Sequence, residues 1–454
     1  MTATQDETES VQDRVEALLT GGELEAAGDL VVDLHPSDLA DVMERLEAPH
    51  QVALLSTLPV DLASEALAEM EEGVLRGDLL AALAPEKGAE LIEELADDDA
   101  VDLMGELEPP AQRKILDALP DATAVDLVDL LRYGEETAGG LMTTELVAVD
   151  ESLTAGEALE QVRAQGREVE EFYTVFVVDG RRRLLGTLRL DDLVMARPEE
   201  RIEGLIEAPI ATVLPNTDQE EVGRLIGRYN LAAIAVVDAR GVLLGRITFD
   251  DVIDVIEAEQ TEDIVLMAGL GGDEGAIRYT WKESVRARIP WLFVNLVTAA
   301  LASSVVYLFS GTIENVVILA AIMPIVAGLG GNAGTQALAV TVRMIALEGG
   351  AARARDLWII VGRELTVGLV NGAVIGGVVA ALATLVGGDP TLGLVVLIAM
   401  WGNLVMAGFL GSFVPTVISR LGVDPAVGSS MFVTPFTDLF GFLFLLSLAT
   451  KFLL

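Results

Sequence analysis

Cysteine is absent from all 454 residues, which excludes a disulfide scaffold, a thiolate-ligated zinc or iron–sulfur centre, and a thiol enzyme. Bases are scarce: 29 lysines and arginines stand against 71 acids, for a formal net charge of −42. A nucleic-acid binder needs a basic face, so that class is excluded too. The first residues are acidic and polar, without a basic stretch or an apolar run behind it, so no cleaved secretory leader is expected. No nucleophile–base pair or phosphate-cradling loop stands out, and an enzyme is not expected. What is abundant is apolar: 52% of residues are hydrophobic and mean hydropathy is +0.48.

Such charge and such hydropathy rarely share one domain. Here they are separated along the chain. Residues 284–454 hold seven acids and eight bases, which leaves 64 acids, 21 bases and a net charge of −43 on residues 1–283. Only four bases are lysines (Lys87, Lys114, Lys282, Lys451). An acid excess with few lysines suits a salt-rich cytoplasm that screens the repulsion.

Five apolar segments are long enough to cross a bilayer: Ile289–Phe309, Asn315–Ala339, Leu365–Val386, Leu392–Ile418 and Val427–Leu454. With the N-terminus inside, Arg286, Arg288, Arg343, Arg353, Arg355, Arg363 and Arg420 all fall on the inner side. The outer loops receive only Glu314 and Asp389, with Lys451 near the far end. This asymmetry predicts a multi-pass protein of the plasma or inner membrane, its acidic half cytoplasmic and its C-terminus outside.

The second segment contains Pro324, Gly328, Gly331, Asn332, Gly334 and Gln336. Proline and clustered glycines predict an interrupted helix whose free carbonyls, Gly328 among them, line a water-filled path. Close packing through small residues is the competing reading. Asn332 and Gln336, four apart on one face, add polar ligands. Asp438 lies in the fifth segment among Phe432, Val433, Phe436, Leu439 and Phe440, with no base until Lys451, about 20 Å along a helix. A carboxylate there costs several kcal/mol unless it meets water, a cation or a base. A cation in a hydrated pore accounts for it better than a protonated acid or a structural pair. Asp424, in Asp424-Pro425-Ala426, is either a metal contact or the N-cap of the fifth helix with proline at N1.

In the acidic half, Leu34, Leu46, Leu58, Met70, Leu83, Leu95, Leu107 and Leu119 recur at spacings of 12 or 13. Short helices at that period cannot bury their apolar faces alone, so a stacked α-solenoid is expected. Its outer face is acidic, most densely at Asp97, Asp98, Asp99 and Asp102. A second repeat has an offset of 59: Val177-Val178-Asp179, Leu184-Leu185-Gly186 and Asp191-Asp192 match Val236-Val237-Asp238, Leu243-Leu244-Gly245 and Asp250-Asp251. Each copy reads helix, strand, turn, strand, helix. An acidic helix then runs from Asp250 through Asp251, Asp254, Glu257, Glu259 and Glu262 to Asp263, while Asp218 and Glu220 open the helix of the second copy. Acidic faces on neighbouring elements repel unless cations lie between them, as in a sensor of divalent ions.

The paired β-turn-β-helix units resemble tandem CBS domains. In such domains a Thr-x-x-Asp step holds a nucleotide ribose. Thr248-Phe249-Asp250-Asp251 fits that step, which implies ATP or AMP binding, whereas Arg189 stands at the matching place in the first copy. The whole layout resembles the MgtE family of magnesium transporters and channels. It shares the domain order, the Pro-x-x-x-Gly-x-x-Gly-Asn-x-Gly-x-Gln signature (Pro324 to Gln336), the Asp424 step and Asp438.

The resemblance implies a multidomain α-helical membrane protein. Its parts are an acidic helical-repeat N-domain (1–133), two CBS domains (134–200 and 201–249), an acidic connecting helix (250–283) and a five-helix transmembrane domain (284–454). It implies a homodimer with an axial pore lined by the second and fifth spans, where paired Asp438 carboxylates hold hydrated Mg²⁺, which surrenders water reluctantly. It further implies that cytoplasmic Mg²⁺ closes the pore through Asp98, Asp102, Asp218, Glu220, Asp251, Asp254, Glu259, Glu262 and Asp263. Asn230 departs from that pattern, standing where an acid is expected. Two other functions share these features: transport of Co²⁺ or Mn²⁺, or Mg²⁺ efflux, and a membrane-anchored nucleotide-sensing module. An all-oxygen site favours hard cations without fixing selectivity.

Overall fold

The computed structural model describes residues 5–70, 74–167, 169, 172–268, 270, 281–348, 354–421, 423–426 and 429–454. They form two compact units, residues 1–256 and 257–454.

The first unit opens with ten helices: α1 (Gln5–Gly21), α2 (Leu24–Val31), α3 (Pro36–Glu44), α4 (Ala48–Thr57), α5 (Val60–Ala68), α6 (Val74–Ala82), α7 (Pro85–Glu94), α8 (Asp97–Gly105), α9 (Pro109–Leu116) and α10 (Asp121–Leu130). Prolines at the N-termini of α3, α4, α7 and α9 start them, because the first turn has no partner for the missing N–H. Each of the repeated leucines falls just past a helix end, and Leu46, Leu58, Met70, Leu83, Leu107 and Leu119 are buried there. Odd-numbered helices stack on odd and even on even: α3 on α5, α5 on α7 and α7 on α9, with α4 on α6 and α6 on α8. Two layers of short helices result. A buried ion pair, Arg76 Nη2 to Glu106 Oε1 at 2.5 Å, clips α6 to α8, and Gly77 N–H donates to the same carboxylate at 3.1 Å.

The offset-59 repeat gives two three-stranded sheets of one design. In the first, β1 (Ala148–Asp150) pairs parallel with β2 (Thr174–Val178), and β2 pairs antiparallel with β3 (Leu184–Arg189). In the second, β4 (Thr212–Val213), β5 (Ala233–Val237) and β6 (Leu243–Thr248) repeat that order, and both copies carry a bulge at the equivalent valine pair. Helices α11 (Ala155–Gln165) and α12 (Leu190–Met195) serve the first copy, and α13 (Gln219–Tyr229) and α14 (Phe249–Met267) the second. The turn aspartates act alike. Asp179 Oδ1 accepts from the N–H groups of Arg181 and Arg183, and Asp238 Oδ1 from those of Arg240 and Val242. Phe176, Ala235, Val237 and Leu243 form a buried cluster joining the two sheets.

The second unit contains five long apolar helices: α15 (Trp281–Leu308), α17 (Ile318–Glu348), α18 (Ala354–Gly387), α19 (Pro390–Arg420) and α20 (Ser429–Phe452), with a short α16 (Ser310–Asn315) after the first. The acidic stretch from Asp250 to Asp263 lies in α14, which runs to Met267; 269 and 271–280 lie outside the described residues, and α15 begins at Trp281. One sequence expectation needs correction. The second span is not interrupted, since α17 is one helix through Pro324 and the glycine cluster. Pro324 is only seven residues into α17, and none of the cluster's glycines has a positive φ. Gly331 and Gly334 serve close approach instead. A Cβ at Gly334 would lie 2.5 Å from Val433 Cγ1, and one at Gly331 would lie 3.3 Å from Thr434 Cγ2. The competing small-residue reading accounts for these positions.

Candidate functional site

In the membrane unit the signature helix α17 packs directly on α20 through the glycines just described. Gly328, Asn332 and Gln336 lie exposed on α17, away from that seam. Asp438 is half-buried on α20, one turn beyond Thr434 and next to Thr437, whose hydroxyl is satisfied by Thr434 O at 2.7 Å. Among the described residues Asp438 forms no hydrogen bond and no ion pair. An ionised group at membrane depth is costly without compensation, so its oxygens are available to water or a cation.

Asp424 is not the N-cap of α20, which begins at Ser429. Its Oδ1 accepts from Ala426 N–H at 2.8 Å and closes a tight turn before the helix. Burial raises its carboxyl above the ordinary range. Leu266, Leu338, Val342 and Ala426 form a buried cluster that brings the end of α14 against this turn. Asp263 thereby faces Asp424. Burial first, and the Asp424 charge second, push the Asp263 carboxyl up, while Arg343 opposes them. Glu259 and Glu262 lie half-buried on the same helix.

The structure also displays two polar groups that the sequence reading passed over. Glu364 is only 6% exposed and, with Gln336 and Asn371, lines a cavity of about 250 Å³ between α17, α18 and α19; Arg363 lines it as well. A third span counted from Leu365 leaves Glu364 out, whereas the apolar helix extends from Trp358. Its spacing of seven from Asn371 was the available signal. Asn403, in the middle of α19, is fully buried.

In the first unit, α8 and the start of α14 bring Asp98 and Asp251 together. Burial, then the charges of Asp251 and Asp99, hold the Asp98 carboxyl well above its usual range. Asp251 is raised too, mainly by burial, although Thr248 counters this by donating from N–H at 3.1 Å and from Oγ1 at 2.5 Å. Arg246 lies nearby, its Nε donating to Glu145 O at 2.8 Å, and burial lowers its own pKa despite both aspartates. Asp97 accepts from Thr144 N–H at 3.3 Å and from its hydroxyl, tying α8 to the CBS pair. Asp102 is half-buried one turn from Asp98, and Asp254 is exposed one turn from Asp251. Asp218 caps α13 by accepting from Glu220 N–H at 2.9 Å, and both side chains are exposed. Asn230 ends α13 in the left-handed conformation (φ 50°), a place asparagine tolerates better than most residues. Among the described residues no three histidine, aspartate or glutamate side chains converge as a ready-made metal cluster. The acids meet in pairs.

A shallow pocket is lined by Tyr173, Ala232, Arg246, Thr248, Phe249 and Asp250. Thr248 and Asp250 line this cleft, while Asp251, the acid of the Thr-x-x-Asp step, is hydrogen-bonded to Thr248 beside it. Asp251 is turned to the Thr248 cap. In the first copy Arg189 is exposed and grips Asp191 at 3.0 and 2.6 Å, so a second step of that kind is not formed.

A five-span apolar unit whose Asp438 has no hydrogen bond or ion pair among the described residues, joined to an acidic solenoid and a CBS pair, defines a membrane transporter of cations. Comparison with known proteins agrees. A family model described as a divalent cation transporter matches residues 323–448, one described as the MgtE intracellular N domain matches 34–136, and the CBS model matches 138–199 and 202–258. The magnesium transporter MgtE of Thermus thermophilus is 34% identical, over 95% of this chain and 96% of its own length. That of Bacillus subtilis is 30% identical over 97% of each. The crystal structure of the cytosolic domain of the Mg²⁺ channel MgtE in complex with ATP matches with TM-score 0.51 and 35% identity, over 54% of this chain and 99% of that one. The chain belongs to the MgtE family. It is a transporter, not an enzyme.

Proposed function

We propose that the protein is a homodimeric Mg²⁺ channel of the cell membrane, with cytoplasmic N-terminal domains, an external C-terminus and closure driven by cytoplasmic Mg²⁺. The observation that carries the reading is the seating of the signature helix against the Asp438 helix, with Asn332 and Gln336 on the exposed side. A two-fold axis at that side sets two Asp438 carboxylates across one path. Outer-shell contact with hydrated Mg²⁺ suits so small a charge count. The paired acids Asp98 with Asp251 and Asp263 with Asp424 support the gating half, since a divalent ion relieves the repulsion that burial intensifies. Asp102, Asp218, Glu220, Asp254, Glu259 and Glu262 belong to the same acidic faces. The Thr248–Asp251 step, together with the ATP complex of a relative, supports a nucleotide at the CBS pair.

The test is ion flux in proteoliposomes. Asp438→Asn abolishes Mg²⁺ uptake while cross-linked dimers still form; undiminished uptake overturns the pore assignment. Competition by Co²⁺ and Mn²⁺ in the same assay sets the selectivity.

A further inference from the structure

Among the described residues Asn403 makes one side-chain hydrogen bond and leaves one atom without any. Its Nδ2 donates to the Val326 carbonyl of α17 at 2.9 Å. Because that partner is a carbonyl, the amide nitrogen is the atom facing it. Its Oδ1 is buried and has no partner among the described residues. The neighbours are apolar: Ala399, Met400 and Leu404 on its own helix are buried, as is Val326. An unsatisfied buried oxygen is a net cost to the fold, and an apolar side chain of similar size is close to neutral by comparison. Stability alone therefore does not explain an amide here.

The surroundings are cut to fit it. A Cβ at Gly330 would lie 2.2 Å from Asn403 Nδ2, and one at Gly441 would lie 2.8 Å from the same atom. Gly330 precedes Asn332 by two residues on α17, and Gly441 follows Asp438 by three, nearly one turn, on α20. One side chain of α19 is thus wedged, from behind, between the two helices that carry the proposed pore groups. Gly330 stands four residues after Val326, so its missing side chain is what uncovers that carbonyl.

We infer that Asn403 is a positioning residue for ion conduction: its bond to Val326 O and its two glycine contacts set the separation and rotation of α17 and α20, and hence the spacing of Asn332 and Gln336 from Asp438. The inference rests on the pore reading above. Asn403 itself does not touch the ion. It acts through a fixed distance, and discrimination among divalent cations depends on cavity size, ligand number and flexibility.

The experiment measures Mg²⁺ uptake against concentration in proteoliposomes, with Mn²⁺ uptake in parallel, and melting of the full chain in detergent. Asn403→Leu retains bulk while losing the donor. The expected result is a melting temperature near that of the parent protein, but a half-saturating Mg²⁺ concentration raised about three- to tenfold, the scale of one lost hydrogen bond, and a changed Mg²⁺:Mn²⁺ ratio. Should that variant fail to assemble, Gly330→Ala is read in the same way, since its methyl group displaces the amide. A lower melting temperature or yield with half-saturation and ion ratio unmoved assigns Asn403 to packing only and overturns the inference. Normal uptake by Asp438→Asn overturns the pore reading instead, so the two failures are separable.

Discussion

Replacing Asp98 by asparagine should stabilise the cytoplasmic unit when Mg²⁺ is absent and make it indifferent when Mg²⁺ is present. Asp98 sits half-buried on α8 with Asp251 of α14 and Asp99 as its negative neighbours. Two unit charges about 4 Å apart repel by about 1 kcal/mol in bulk water and about 4 kcal/mol at an effective dielectric constant of 20. Arg246 offsets part of this, yet the Asp98 carboxyl is still held well above its usual range, so ionisation remains a net cost to the fold. A gain of about 1–2 kcal/mol follows, towards the lower end of that range because solvent reaches the pair. For a unit of 256 residues that amounts to about 2–8 °C in melting temperature. Asparagine keeps an acceptor for the Asp99 N–H at 3.2 Å, so local geometry survives the change. Full-length protein in detergent would be melted with Mg²⁺ chelated and again at millimolar Mg²⁺, with amide exchange read on α8 and on the first turns of α14. Wild type should gain stability and protection with Mg²⁺. Asp98→Asn should begin higher and gain less. A variant that melts at or below wild type in chelator, or that retains the full Mg²⁺ increment, refutes the repulsion account.

Two further outcomes follow from the same pattern of burial and pairing. Asp98, Asp251, Asp263 and Asp424 have folded-state carboxyls raised above their unfolded values, so the folded protein binds protons where the unfolded chain is still ionised. Their contribution to stability is thus fully present below the unfolded value and lost as pH rises through the folded one; chelated protein should melt higher on moving from neutral to mildly acid solution, and a steady fall over that window would contradict it. Asp150, Asp179 and Asp238 are shifted the other way by their turn hydrogen bonds and weaken the fold only at more acid pH. Arg76→Ala removes the buried partner of Glu106 together with donors to Ala68 O and Met70 O, at a cost of about 3–5 kcal/mol. Thermal melting should show an early loss of the solenoid, and an unshifted transition would mean the pair contributes nothing.

The repeats were legible because they are periodic. A leucine every twelve or thirteen residues, each followed by a turn or a proline, leaves little choice but short stacked helices. The offset of 59 carried even the valine bulge and the turn aspartate from one copy to the other. The spans were legible from length and charge alone, but not their ends: Glu364 was lost when the third span was begun one residue too late for it. The glycine cluster was read as a broken helix because composition describes only what a glycine permits. Whether it unwinds a helix or admits a neighbour depends on Val433, Thr434 and Asn403, which lie about 70 to 110 residues away in sequence.

By itself the sequence determined the partition of charge, the five apolar helices, the two repeats and the presence of an acid at membrane depth, because each is a local property of composition or period. The tertiary structure decided which acids become neighbours, that Asp424 closes a turn against Asp263, that Asp250 lines the cleft beside Thr248 while Asp251 bonds to Thr248 itself, and that α17 stays whole. Those are matters of contact between distant segments. A carboxylate's energy depends on the burial and charge that the rest of the chain places around it, and no window of sequence contains that surrounding.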